Sequence, residues 1–579
     1  MRNFIAGAVL GMACLGLPAQ ADWIEASDKH AMKVMAAIGK LQPETIGNYG
    51  LSEFDTQILD LGHGSFERRQ QMRRDNIKAL EAALEKETDG RVRQDLQIML
   101  ADQREDIKSA ELNRELMLPY YNAHEILYGS FNSLLDPRND KSRYPAALER
   151  LAKYTGQADG YIPLSANARA RSEERFDVEG LIGPYVKELE TDLGNAPRYL
   201  AGIKSLFERA ELTGWEANFA LLEKQLADYE QWVRDEIVPR ARENNQLPEV
   251  IYADNLRNYG VKASPEELIS QAQYSYQLLR SEMKALAVQI AEQRDWDNAE
   301  LVSVIRKLKQ EQIPPEEVLE TYQQRLSVLE EIIEREEIIT LPERDAVIRL
   351  ATDAESAAIP ASFMSPPQLI NNTGQYGEFV LVQKNPGLEG DEAVMDDWSH
   401  DGIVWALTVH EARPGHELQF SSLVENGTSL ARAVFAFNSA NAEGWGLYAE
   451  SIMHEYLPLE GQLFNLYSRL MRAARMFLDP MVNTGQMTHQ GARDFLVEQM
   501  ALSLPMASSE ADRYAFWAPG QATSYYYGYT NLMRLRTEVE IAMGDQFNQR
   551  AFHDFVLAQG LLPPDLLRTA VLEKFVRVE

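Results

Sequence analysis

Gly402-Ile403-Val404-Trp405-Ala406-Leu407-Thr408-Val409-His410-Glu411-Ala412-Arg413-Pro414-Gly415-His416 sets the terms on which the rest of the chain is read. The run from Gly402 to Val409 is apolar and helix-compatible, and it delivers a His-Glu pair at its end. In the zinc motif His-Glu-x-x-His, histidines at i and i+4 share one helix face and the Glu acts as base. Here the second histidine stands at i+6. On an unbroken helix six residues turn a side chain by about 240°, at ~100° each, so the imidazoles would point apart. Pro414 removes a backbone donor and clashes with the preceding turn, while Gly415 accepts dihedrals that other residues avoid. The spacing therefore predicts a helix that bulges, or ends and restarts, so that His416 returns to the side of His410. The plain alternative is two structural histidines beside a turn.

A second cluster, Asn441-Ala442-Glu443-Gly444-Trp445-Gly446-Leu447-Tyr448-Ala449-Glu450, follows in a helical stretch. Glu443 and Glu450 are seven apart and fall on one helical face. An apolar helix rarely carries two inward carboxylates unless they are paired, protonated or metal-bound. Two histidines and one Glu leave a tetrahedral position open for water, the arrangement of a catalytic rather than a structural zinc. His410, His416 and Glu443 are thus the candidate ligands of one Zn²⁺ per chain. Glu411, next to the first ligand, is the candidate general base. Glu450 suits the shell behind the ligands, where carboxylates orient imidazoles.

Outward from this region the pattern is mostly helical. Ser264-Pro265-Glu266-Glu267 is a capping box with Pro at the first helical position, opening an amphipathic run to about Gln293. Pro314-Pro315-Glu316-Glu317 opens another to about Glu337, and residues 65–113 read as a helical hairpin broken near Thr88-Asp89-Gly90. Between 339 and 400, five prolines and several glycines interrupt the pattern, and Glu378–Val382 is the best strand candidate. A boundary near 340 would separate a helical scaffold lobe, 22–340, from a lobe carrying the chemistry, 341–579.

The chain has 579 residues, 57 basic against 88 acidic, for a formal charge of −31. Such acidity argues against a nucleic-acid binder, since the phosphate backbone is bound through Lys and Arg. Beyond residue 21 no unbroken apolar stretch is long enough for a transmembrane helix. Residues 1–21 read as a secretory signal peptide: basic Arg2, an apolar core from Phe4 to Leu17, and Ala19-Gln20-Ala21 as cleavage site. The single cysteine, Cys14, lies inside it. Gly11 stands three residues before Cys14, where a lipoprotein signal usually carries Leu, so acylation there is the weaker alternative. Cleavage after Ala21 leaves a periplasmic or secreted protein with neither disulfides nor thiolate ligands.

His-Glu-x-x-Pro-Gly-His followed by Glu-Gly-Trp-x-x-Tyr-x-Glu resembles the bacterial family catalogued as domain of unknown function 885, grouped with zincin-like metallopeptidases whose third ligand is Glu. The resemblance is strongest over residues 400–540, and it also takes in Leu418-Gln419, Arg475, Asp479, Pro519-Gly520-Gln521-Ala522, Tyr525, Gly528 and Arg536. Two positions depart from the family pattern: Glu417 and Asn483 stand where it usually has His. The resemblance implies a mainly α fold, a large helical body with a deep cleft and a small β-sheet beside the metal site. It implies Tyr525 as donor to a developing oxyanion. Tyr448 belongs with Glu450 behind the ligands, and Arg536 would hold a substrate carboxylate or pair with Asp479. The strand at Glu378–Val382 would serve as the edge on which an extended peptide pairs. His400 and His454 are read as structural. The expected function is a zinc-dependent peptidase of short peptides, carboxypeptidase or oligopeptidase-like. The alternatives are a non-catalytic periplasmic metal- and peptide-binding protein, or a metal-dependent hydrolase of another amide.

Overall fold

Ser264 and Glu267 cap each other: Ser264 Oγ accepts from the Glu267 amide at 3.3 Å and the Glu267 carboxylate accepts from the Ser264 amide at 2.9 Å. In the computed structural model, which describes residues 18–359, 361–383 and 395–576, this cap opens a helix of 29 residues ending at Gln293. The expected export segment, Cys14 included, lies outside the described residues through position 17. The helices that carry the argument are α1 (Pro18–Gly39), α2 (Ser65–Leu84), α3 (Gly90–Leu116), α4 (Pro265–Gln293) and α5 (Pro315–Arg335). The hairpin of α2 and α3 breaks where Asp89 caps α3, its carboxylate accepting from the Arg91 amide at 2.8 Å. After the sheet come α6 (Asp401–Glu411), α7 (His416–Asn426), α8 (Ser439–Met453), α9 (Leu459–Asn483) and α10 (Ser524–Met543).

Among the described residues the architecture is mainly helical with one small sheet of β1 (Val347–Leu350), β2 (Phe363–Ser365) and β3 (Glu378–Leu381), ordered β1-β3-β2. β3 pairs parallel with β1 in the register Ile348↔Phe379, and antiparallel with β2 in the register Met364↔Phe379. The strand expected at Glu378–Val382 is therefore present but central. Both its edges are occupied and all four of its residues are buried, so it has no side on which to pair a peptide. The expected edge role is corrected: the outer strands of this sheet are β1 and β2. An alternating polar pattern would have marked an exposed edge, whereas Phe379-Val380-Leu381 is apolar because it is covered on both faces.

α9 is the axis of the chemistry-bearing half. Nearly every residue from Gly461 to Asn483 is buried, and it packs against α4, α6 and α10. The larger hydrophobic cluster runs from Ala31 to Val571 and draws on both sides of residue 340. A smaller one joins residues between Leu61 and Ile237 to Ala354 and Ala357. α8 and α10 cross at bare backbone: a Cβ on Gly528 would fall 1.8 Å from the Ala440 carbonyl oxygen. Among the described residues no helix is long and apolar enough to cross a membrane.

The C-terminal region is tied to the linker after α5 by His553, which is fully buried. Its Nδ1 donates to the Ile338 carbonyl and its Nε2 accepts from the Tyr448 hydroxyl, both at 2.7 Å. Burial pushes this imidazole down to about 4, aided by the nearby Arg536 charge. Between pH 6.5 and 4 the unfolded chain binds a proton here that the folded chain refuses, so stability falls with pH across that window. His553→Gln keeps a donor and an acceptor but does not titrate. We predict that its unfolding free energy, followed in urea, loses ~1.4 kcal/mol less per pH unit than the wild type between pH 6.5 and 4. Identical slopes would contradict a neutral buried His553.

Candidate metal centre

α6 ends at Glu411, the chain turns through Ala412–Gly415 with a cis Arg413–Pro414 peptide, and α7 starts at His416. Of the two forms open to the sequence, the helix ends and restarts. Gly415 allows this: a Cβ there would lie 1.9 Å from the His410 carbonyl oxygen and 2.3 Å from that of Val409. Trp445 of α8 holds the turn by donating Nε1–H to the Pro414 carbonyl at 3.0 Å. Arg413 points away, its Nε donating to Glu417 at 2.7 Å and its Nη1 to Glu330 at 2.5 Å. Glu417 also accepts from Ser421 at 2.5 Å, so this departure from the family pattern is one half of a buried ion pair bracing the turn.

The restart brings the two imidazoles to a centroid separation of 4.8 Å, almost perpendicular at 86°. Glu443 Oε2 lies 3.2 Å from His416 Nε2 and 3.7 Å from His410 Nε2. The three donor atoms all lie within 4.8 Å of one another. Gly446 makes room for them, since a Cβ there would fall 2.8 Å from His410 Cε1 and 3.0 Å from His416 Cε1. Behind the cluster, His410 Nδ1 donates to Glu450 at 2.8 Å, Ser468 Oγ donates to the same oxygen at 2.9 Å, and Arg472 Nη1 donates to Ser468 Oγ at 2.5 Å. This chain holds a proton on His410 Nδ1 and fixes the ring so that Nε2 is the nitrogen facing Glu443 and His416.

Burial alone would raise the Glu443 carboxyl, but hydrogen bonds with His410 and His416 hold it well below the usual carboxylate range. Burial would likewise depress His410, yet Glu443 and Glu450 bring it up to about 9. Glu411 is raised by burial, an effect the His410 and His416 charges only partly offset. Its carboxyl group faces a cavity of about 560 Å³ that is also lined by the three donors, Tyr525, Arg472, Arg475 and Arg513. Phe363 and Met364 of the edge strand β2 line it too. The Tyr525 ring lies 6.3 Å from that of His410, and its hydroxyl accepts from Arg513 at 2.7 Å, which leaves the phenol proton free to be donated. Arg475 is paired twice with Glu510, at 2.6 and 2.7 Å. Arg472 is buried, has no carboxylate within ion-pairing distance among the described residues, and its Nε has no partner.

The remaining sequence candidates sit elsewhere. Asp479 accepts from the Gly520 amide at 3.0 Å and from Tyr252 at 2.9 Å, and burial pushes it up to about 7. It anchors the turn from which Gln521 reaches Ser439 at 3.0 Å and Glu443 at 3.5 Å. Asn483, the second departure, donates to Asp479 at 3.0 Å. Arg536 does not meet Asp479. It donates to Glu540 at 2.6 Å and to Tyr448 at 3.1 Å, because three turns along α10 carry it away from the donors. Neither Tyr448 nor Arg536 lines the cavity. His400 is buried against Phe464 at 4.3 Å, and His454 bonds Asn465 at 3.1 Å. Sequence reading passed over Arg472 and Arg513. The signal for Arg472 was there: Ser468, Arg472, Arg475 and Asp479 repeat at helical spacing on one face of an otherwise apolar helix.

The fold recurs in solved structures. A candidate lipoprotein from Colwellia psychrerythraea superposes with a TM-score of 0.77 at 17% identity, over 96% of this chain and 99% of its own. A candidate lipoprotein of unknown function from Shewanella oneidensis gives 0.69 at 17% identity, over 95% and 99%. No curated protein matches the sequence. The profile of the family described as bacterial protein of unknown function (DUF885) matches residues 43–571, nearly the whole length. The chain is a member of that family.

Proposed function

We propose that this protein is a zincin-like, metal-dependent peptidase that hydrolyses short peptides in the cavity beside His410, His416 and Glu443. The observation that carries the reading is the convergence of two Nε2 atoms and one carboxylate oxygen on a cavity wall, with the Glu411 carboxyl, which has no hydrogen-bond partner among the described residues, beside them. The donor set fits a divalent ion of zinc's preferences. Bonds of ~2.0–2.1 Å in a tetrahedron hold donors about 3.3 Å apart, near the 3.2 and 3.7 Å found between Glu443 and the imidazoles. A His410 imidazole with its other nitrogen on a carboxylate is the usual outer support of such a ligand.

Bound there, the ion supplies a Lewis acid for the scissile carbonyl and favours loss of a proton from water. Glu411 accepts that proton as the water oxygen attacks the carbonyl carbon, and returns it to the leaving nitrogen as the C–N bond breaks. Tyr525 donates its phenol proton in a hydrogen bond to the oxygen on which negative charge develops, while Arg513 holds the ring in place. Glu450, itself held by Ser468, keeps His410 in orientation. The outer strand β2 gives an extended peptide a backbone to pair with. Arg472 supplies a buried positive charge with no carboxylate in ion-pairing contact among the described residues, and a free carboxylate on the substrate would meet it.

Outside the cytoplasm is where we place the protein: its first 21 residues read as an export signal, and both structural relatives are candidate lipoproteins. The relatives weigh toward Cys14 acylation, against the argument from Gly11. Mass spectrometry of the protein from its host should find a chain beginning at Asp22 or at a lipid-modified Cys14, and a retained Met1 would contradict export.

Glu411→Gln should lower kcat on a cleaved peptide by roughly 10²–10⁴-fold while bound zinc stays unchanged. A wild-type protein that binds no metal and cleaves nothing in a panel of short peptides would reject the reading. Arg472→Gln should cost about 10–100-fold in kcat/KM on peptides with a free C-terminal carboxylate and little on their amidated forms. Equal losses on both would reduce Arg472 to a support for Ser468.

A further inference from the structure

A second cavity, of about 500 Å³, lies between the α2–α3 hairpin and the segments around residues 171–188 and 242–255, and shares no lining residue with the metal-side cavity. Six arginines line it, Arg69, Arg73, Arg114, Arg171, Arg175 and Arg242, against two glutamates, Glu174 and Glu188. In a chain of formal charge −31 this is a local reversal of sign. Three of the six are matched: Arg73 by Asp106 at 3.0 Å, Arg114 by Glu67 at 3.0 Å, and Arg171 by Glu174. The other three have no carboxylate within ion-pairing distance among the described residues. Arg69 donates to the Asp60 carbonyl at 2.9 Å, Arg175 to the Arg114 carbonyl at 2.8 Å, and Arg242 to the Gly183 carbonyl at 2.7 Å. The Nε groups of Arg175 and Arg242 are buried without any partner.

Neutral carbonyls hold these guanidinium groups in place but do not cancel their charge. Gathering like charges in a partly desolvated space costs free energy, which an anion entering from outside would offset. The walls are mixed rather than purely polar, since Phe66, Tyr120, Tyr121 and Phe516 also line the space. Its volume is that of a small-molecule site.

We propose that this cavity is a binding site for a small organic polyanion carrying two or more carboxylate or phosphate groups, recognised by Arg69, Arg175 and Arg242. Planar guanidinium forks suit both kinds of anion, so the shared chemistry defines the ligand. Phe516 faces this cavity and its neighbour Trp517 faces the metal-side one, so a ligand here would touch the segment that carries Arg513. The proposal stands independently of the peptidase reading.

The test is calorimetric titration of the full protein with propane-1,2,3-tricarboxylate and with pyrophosphate at fixed ionic strength. Saturable binding of either is expected, with affinity lowered about tenfold or more in Arg69→Gln and in Arg242→Gln. The arm that binds tells carboxylate from phosphate. Absence of saturable binding in both arms overturns the proposal, as does binding that the two variants leave unchanged, which would place the anion at another site such as the metal centre. Should the variants fail to fold, phenylglyoxal labelling of the wild type decides: the bound probe should protect Arg69, Arg175 and Arg242 in peptide maps, and equal labelling with and without it overturns the site.

Discussion

The metal-side chemistry depends on one close backbone approach. α7 can restart against the end of α6 only because Gly415 presents no Cβ to the His410 and Val409 carbonyls, which would otherwise lie 1.9 and 2.3 Å from it. An unbroken helix would direct His416 away from His410, with the two rings on different faces. The break instead sets the rings 4.8 Å apart. The neighbouring helix is built around the same constraint. Trp445 clamps the turn through the Pro414 carbonyl, Gly446 clears space for both imidazoles, and Glu443 adds the third donor. One short motif on α8 thus secures the turn, makes room for the rings and completes the donor set.

α9 supplies the electrostatics. A helix buried on nearly all sides would ordinarily be apolar, yet this one carries Ser468, Arg472, Arg475 and Asp479 into the interior. Three of the four are spoken for within the protein. Ser468 joins Arg472 to Glu450, Arg475 is held by Glu510, and Asp479 anchors the turn that presents Gln521. Arg472 alone has no carboxylate partner among the described residues. A buried charge with no carboxylate in direct contact is costly, and its place on the cavity wall gives that cost a use if a substrate carboxylate makes the contact.

Much of this was legible in the residues because the signals are local. The capping box at Ser264, the proline-led start of α5 and the break at Asp89 act within a turn of the backbone, and the elements run as those signals imply. The i+6 spacing with Pro-Gly between required a break, and the pairing of Glu443 with Glu450 required a face. What depends on partners far along the chain was not legible. β3 looked like an available edge because nothing in Glu378–Leu381 announces that β1 and β2 flank it. Arg536 looked like a partner for Asp479, but Glu540 one turn on and Tyr448 from α8 take its bonds. The arginines of the second cavity come from segments spread over about 170 residues, so no local pattern marks them as a group.

The central claim is that His410, His416 and Glu443 hold one divalent ion. Anomalous diffraction at the zinc edge, from crystals of the full protein grown with zinc, tests it most directly. The account predicts a single strong peak ~2 Å from both Nε2 atoms and from a Glu443 carboxylate oxygen. A zinc-supplied crystal with no anomalous density among these three side chains, or with the ion seated on other ligands, would contradict it.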